Sequence, residues 1–437
     1  MSARLCCAAL SLAAVSVSWA GSPAYRIVAH LERYDQPSGL VEGSPGVFYG
    51  VAGSHTNVAF SVTSAGVVTI LASFPAGYNM GSHLIAASNG RFYSSVELGN
   101  QPAALFSVTS TPGKQIYPPR NLALSLSESL PDGDLLATAV GLSGSPWCLA
   151  KAGLDGAAKT IVQFPPGERL TGSAVFARDG NYYGISQGST AASGYVFRVG
   201  RSGSLTRFHE FPSGTFRTYL AAPLIQSADG SLYGAIPTGG PNGRGFIYRL
   251  TLQGQYQLLY AFPKGQDGTP TALIEASDGN LYGATHGNMP TSQTAEIFRL
   301  SKSGAYATLH ELIDPASDGA CQCELVQASD GILYGTAQGG GRKGMGAIFA
   351  LDEGLPKPPP WVRAVSPSSG QAGTRVRIWG RNLLGAAVKF NGVPAAMVSN
   401  SGPDYVWANV PAGASSGPVM VKTAAGTSSA PVSFQIK

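Results

Sequence analysis

From residue 25 to 351 the chain is a succession of short apolar runs, four to seven residues long, separated by clusters of Gly, Asp, Ser and Asn. Residues 222 to 262 show the order of signals best. Pro223-Leu224-Ile225-Gln226 reads as a first strand, Asp229-Gly230 as a turn and Ser231 to Ile236 as a second strand, followed by a Gly-rich loop. Phe246-Ile247-Tyr248-Arg249-Leu250 is a third strand, Leu252-Gln253-Gly254 a turn, and Tyr256 to Pro263 a fourth. Strand-like runs on either side of Asp-Gly predict a hairpin, and the dipeptide is the one a type I′ turn favours, because both central residues then need positive φ.

The same order returns seven times. Turn glycines fall at 46, 90, 133, 180, 230, 279 and 331, spaced by 43 to 52 residues. The third strand recurs in every unit, from Ala59-Phe60-Ser61-Val62 to Ile348-Phe349-Ala350-Leu351. A fourth strand follows in each unit except the last, where Leu351 runs into Asp352-Glu353-Gly354-Leu355-Pro356-Lys357-Pro358-Pro359-Pro360. Its replacement stands at the other end of the chain, where Tyr25 to Leu31 has the pattern of a fourth strand with no unit of its own. Four antiparallel strands at this period describe β-propeller blades, and an N-terminal strand completing the last blade closes the ring and removes its open edges. The expected fold is all-β, a seven-bladed β-propeller over residues 25–351 followed, after a Pro-rich linker at 352–360, by an immunoglobulin-like β-sandwich over 361–437.

In that last segment Val362 to Gly370, Gly373 to Leu383, Val388 to Gly392 and Gly417 to Val421 read as short strands with turn signals between them. Its strand Arg375-Val376-Arg377-Ile378-Trp379-Gly380-Arg381 alternates. With Val376 and Ile378 in the core, period two puts three Arg and a Trp on the outer face. That face fits three accounts: a solvated strand with Trp covered by Arg stems, a surface docked on the propeller, or a separate ligand surface.

The core Asp-Gly-x-Leu-Tyr-Gly, the Gly-rich loop, the Phe-Arg-Leu strand and the closing x-Phe-Pro resemble the GloVer tandem repeat of secreted bacterial proteins, over about residues 25 to 351. The match is good in units four to seven and poorest in unit three, where Leu136-Ala137 replaces Tyr-Gly. The resemblance implies a propeller-like extracellular module with no set activity. Residues 361–437 resemble an IPT/TIG domain, which implies a small immunoglobulin-like sandwich.

Composition narrows the function. With 57 Gly and 30 Pro, long helices are not expected, and a hydrophobic share of 44% argues against disorder. The net charge of +5 comes from scattered Lys and Arg without a dense basic run, so no nucleic-acid partner is expected. Residues 1–20 carry Arg4, an apolar run from Leu5 to about Val17 and Ser18-Trp19-Ala20, the pattern of a signal peptide. No later run reaches the roughly 20 apolar residues of a membrane-spanning helix. A secreted or periplasmic protein, associated with the cell surface or not, is expected, with no transmembrane segment after cleavage. Cys148, Cys321 and Cys323 then remain; Cys321 and Cys323 would point the same way on one strand, about 7 Å apart, too far for a disulfide.

Chemistry is sparse. Gly413-Ala414-Ser415-Ser416-Gly417 has nucleophile-elbow spacing but lies in a turn before the last strands of a sandwich, away from the strand-to-helix turn that chemistry needs. Asp132-Gly133-Asp134 has no second-carboxylate counterpart in other units and no following Glu at calcium-loop spacing. The six His are scattered singly. No catalytic residue, metal or cofactor is therefore assigned. The expected role is a binding or surface-interaction module for a glycan or surface protein; the rivals are a propeller enzyme of lyase or glycosidase type and a purely structural envelope component. Strand order places all Asp-Gly turns on one face and the longer loops on the other, where binding residues usually sit. Glu97, Gln187, His286 and Gln338 occupy the position three after each Tyr-Gly glycine, or its equivalent, and form the expected ligand-binding ring, backed by Arg244 and Arg342.

Overall fold

The computed structural model describes residues 24–31, 34–53, 57–75, 78–81, 83–98, 104–117, 122–141, 146–188, 194–212, 222, 224–263, 270–286, 295–312, 320–400, 403–428 and 432–437. The expected signal peptide lies outside the described residues. Seven antiparallel sheets succeed one another along the chain, and two more form the C-terminal domain. Blade 5 is representative, with strands Ile225–Gln226, Leu232–Ile236, Phe246–Leu250 and Tyr256–Ala261 in sequential order. From blade 6 through blades 7, 1, 2 and 3 to blade 4, first strands of neighbouring blades lie against one another, as strands around a central axis do. The protein is an all-β, seven-bladed propeller followed by an immunoglobulin-like sandwich.

Three contacts explain the repeat. The aspartate of the turn accepts from a backbone N–H two residues on and from the tyrosine hydroxyl four residues on: Ser231 N at 2.8 Å and Tyr233 Oη at 2.7 Å for Asp229, with the same pair at Asp179, Asp278 and Asp330. The glycine after that tyrosine faces an aromatic ring on the third strand. Gly184, Gly234, Gly283 and Gly335 pair with Phe197, Tyr248, Phe298 and Phe349, and a Cβ on any of them would stand inside 3.0 Å of the ring. In blade 3, Ala137 replaces this glycine and its partner is Ala150, so the methyl group takes the space left by the absent ring. Between blades, Glu or Gln three residues before the turn position accepts from the backbone N–H of the preceding blade's turn. Arg178 N binds Gln226, Ala228 N binds Glu275, Ser277 N binds Gln327 and Ser329 N binds Glu42, at 2.7 to 2.9 Å.

The Asp-Gly turns are not type I′. φ is positive at Gly180, Gly230, Gly279 and Gly331 but not at the aspartates before them. Gly230 N donates to Ser227 O and Ser227 N to Ser231 O, both at 2.9 Å, the pattern of a type I turn closed by a left-handed glycine bulge. The longer loop leaves the aspartate side chain free to reach Tyr233.

Closure follows the expected route. Ala24–His30 pairs antiparallel with Ala347–Asp352 as the fourth strand of blade 7. It also takes a fourth strand's part in the packing between blades. Tyr25 stacks on His310 of blade 6 at 3.8 Å between centroids, as Tyr256 stacks on His209 and Tyr306 on Tyr260.

In the C-terminal domain, Trp361–Ser366, Arg375–Arg381, Tyr405–Asn409 and Val398–Asn400 form one sheet, and Val419, Val421, Phe390 and Phe434 of the other close the core. Val376 and Ile378 are in that core. Of the three accounts of the alternating strand, docking holds for its central pair: Arg377 and Trp379 are 6% and 4% exposed, against the propeller.

Candidate functional site

The C-terminal domain sits on the face that carries the Asp-Gly turns. Tyr405 Oη accepts from Gly90 N at 3.0 Å, and Arg377 donates to Pro131 O, both in turns of that face. Arg363 donates to Glu128 Oε2 at 2.8 Å and to Phe176 O, while Phe176 N donates to Glu128 Oε1. The Arg363 guanidinium lies 4.3 Å from the Trp379 ring and 5.2 Å from that of Trp361, and its side chain is 3% exposed. The linker joins in, with Pro356 O accepting from Ser277 Oγ and from Gln327 Nε2.

Cavities of about 710 and 180 Å³ lie at this junction. The larger lies between the ends of the first strands in blades 1, 5, 6 and 7, the prolines of the linker and the C-terminal domain. Arg381 and Asp404 line both. Burial holds the Asp404 carboxyl up at about 6, with Glu128 pushing the same way and Arg381 and Arg363 pulling against it.

The opposite face receives the ends of the second strands, and with them the expected ring. Glu97 lies in Phe92–Leu98 across from Asn79, Gln187 ends Tyr182–Gln187 and is buried, and His286 follows Leu281–Thr285 half-buried. Gln338 is half-buried in Leu333–Gly339. Arg244 and Arg342 belong to matching turns of blades 5 and 7, which close through Gly243 N to Gly240 O and Gly344 N to Gly341 O, each at 3.1 Å. The six residues thus share a face and are spread over five blades.

Sequence reasoning passed over several groups. Near this face, Glu168 is 2% exposed, accepts from the Tyr195 hydroxyl and pairs with Arg207 at 2.6 Å; burial and then the bond to Glu168 push Tyr195 up to about 12. Around the axis, Glu324 of blade 7 accepts from Gly39 N at 2.7 Å and stands 3.9 Å from His83 Nδ1 of blade 2. Burial raises the Glu324 carboxyl, opposed by His83 and by the Gly39 bond. Only the Glu/Gln three residues before the turn position in blades 1, 5, 6 and 7 carried a signal in sequence, as part of the repeat; the others meet across 27 to 241 residues. Among the described residues no three His, Cys, Asp or Glu gather as metal ligands, and no helix is long and apolar enough to cross a membrane.

This geometry defines a closed propeller with one face capped by its own C-terminal domain. Residues 158–356 match the Gloeobacter/Verrucomicrobia repeat and residues 360–436 the IPT/TIG domain, so the chain carries that repeat joined to an IPT/TIG domain. No curated protein matches the chain. Among solved structures it is similar to virginiamycin B lyase from Staphylococcus aureus, with 14% identity and a TM-score of 0.54 over 76% of this chain and 99% of that one. It is also similar to the extracellular domain of a protein designated a hybrid two component system from B. thetaiotaomicron, with 12% identity and a TM-score of 0.51 over 95% of this chain and 57% of that one. At such identities the likeness speaks for the fold alone.

Proposed function

We propose that the protein is an extracytoplasmic binding module whose loop-bearing propeller face is the platform for a surface glycan or surface protein. The observation that carries this reading is the position of the IPT/TIG domain. It occupies the Asp-Gly face through Tyr405, Arg377 and Arg363, so an external partner of large size meets the other face, where variable loops stand on a rigid ring. On this reading the partner is held by the ring Glu97, Gln187, His286 and Gln338, with Arg244 and Arg342 as its cationic complement. The test is a glycan array probed with the chain lacking residues 1–20, alongside the variant E97A/Q187A/H286A/Q338A. Binding to a glycan class that the variant loses supports the reading; equal binding by both proteins refutes the ring.

A second reading, an enzyme working in the channel, draws on the approach of His83 to Glu324. A carboxyl raised by burial beside an imidazole is an acid–base pair in chemical terms. Turnover of a glycan substrate that H83A and E324Q both abolish, with binding kept, would favour it.

A further inference from the structure

Independently of the loop face, the cavity at the domain junction has the composition of a ligand site. Its volume of about 710 Å³ falls within the range of pockets that enclose small molecules, roughly 300–1,000 Å³. Two of its carboxylates are already held by the fold: Glu42 accepts from Gly46 N, Ser329 N and Ser329 Oγ, and Glu275 from Ala228 N, Ser227 Oγ and Lys302 Nζ. Gln226 and Gln327 are engaged with backbone groups in the same way.

Arg381 differs. Among the described residues its side chain makes no hydrogen bond and no ion pair; the Trp361 ring lies 5.6 Å from its guanidinium, and its electrostatic neighbours are Asp404 and Arg363. Guanidinium donors that face a cavity unengaged favour a planar oxyanion, which can accept two parallel N–H bonds. Across from it, Ile225, Ile274 and Leu325 give the cavity an apolar wall.

We infer that this cavity is a second ligand site, which takes a small organic carboxylate: the carboxylate pairs with Arg381 and the apolar body lies along Ile225, Ile274 and Leu325. Inorganic anions lack the body and neutral amides lack the charge, so neither satisfies both halves. Asp404 tunes the site. The charged groups facing it are Arg381, Arg363 and Glu128. When ionised it competes with the ligand for Arg381, and when protonated it repels nothing and can donate to the ligand. Affinity is therefore higher below the Asp404 value of about 6 and falls as pH rises through it.

The experiment titrates the chain lacking residues 1–20 with benzoate, benzamide and inorganic phosphate at pH 5.5 and 7.5, following tryptophan fluorescence, since Trp361 adjoins Arg381. Benzoate should bind at least about ten-fold tighter than either control, and Arg381→Gln should weaken it by about ten- to a hundred-fold, the size of a charged hydrogen-bonded pair. Asp404→Asn should remove the difference between the two pH values. It keeps the backbone carbonyl that accepts from Gly380 N, so it reports even where Arg381→Gln does not fold. Equal affinity for benzoate and benzamide, phosphate matching benzoate, an unaffected Arg381→Gln, or a pH dependence that survives Asp404→Asn each overturn the proposal.

Discussion

Replacing Arg363 by Ala should release the C-terminal domain from the propeller before either domain unfolds. The side chain is 3% exposed and Glu128, its partner at 2.8 Å, is 20% exposed. Breaking a buried pair by removing one member costs about 3–5 kcal/mol, because the other charge stays behind unpaired. Loss of the guanidinium from beside Trp379 and Trp361 adds about 0.5–2 kcal/mol, and the two effects overlap because one group supplies both. An effect of about 4 kcal/mol shifts the docking equilibrium by about three decades. Trp361, Trp379 and Trp407 all lie in the docked domain, and Trp379 and Trp407 contact Phe176 and Ser88 of the propeller. Urea unfolding followed by tryptophan emission and by far-ultraviolet circular dichroism should therefore give two separated transitions in R363A, with the emission shifting first. The double variant R363M/E128M should recover most of the loss, since both charges leave together. A single coincident transition displaced by less than about 1 kcal/mol would refute the docking argument.

Three further outcomes follow from the fold. Gly283→Ala drives a Cβ into the Phe298 ring and should cost about 1–3 kcal/mol by overpacking, measured by urea unfolding; no loss would mean that glycine is not there to admit the ring. Tyr25→Ala removes the ring stacked on His310 and should cost about 2–4 kcal/mol, while removal of residues 24–31 should leave blade 7 with an open edge and produce concentration-dependent aggregation visible by light scattering. The Asp404 carboxyl is held up at about 6 in the folded protein, above the about 3.9 of an exposed aspartate, so the folded protein binds the extra proton and stability falls as pH rises between these values; at most about 3 kcal/mol is lost, less where cavity water screens the carboxylate. Asp404→Asn should flatten that part of the stability profile and raise stability at pH 7, and an unchanged profile would contradict the burial assigned to Asp404.

Much of the propeller was legible because its repeat is built from short-range chemistry. Asp, Gly and Tyr at fixed offsets are one hydrogen-bonded turn and one aromatic contact, and the missing and surplus strands at the two ends match in kind. The turn type was misread because Asp-Gly suits two hairpin loops, and the difference lies in which backbone groups of Ser227 and Ser231 meet. Docking of the C-terminal domain was open for a different reason. An outer strand face of Arg and Trp reads the same whether water or a neighbour covers it, and Arg363 meets Glu128 across 235 residues. The junction cavity is assembled from strand ends of four blades, the linker and three loops of the sandwich, a convergence with no local pattern.

The most direct test of the central claim, that the loop face is the working surface and the Asp-Gly face is closed by the protein itself, compares two sets of substitutions on one glycan array. One carries Ala at Glu97, Gln187, His286 and Gln338; the other carries Ala at Asp229 and Lys302, which lie at the Asp-Gly level of blades 5 and 6. The account predicts that the first loses its glycan signal by ten-fold or more while the second, still folded by thermal melting, binds as the unaltered chain does. Loss in the second set with retention in the first would contradict it.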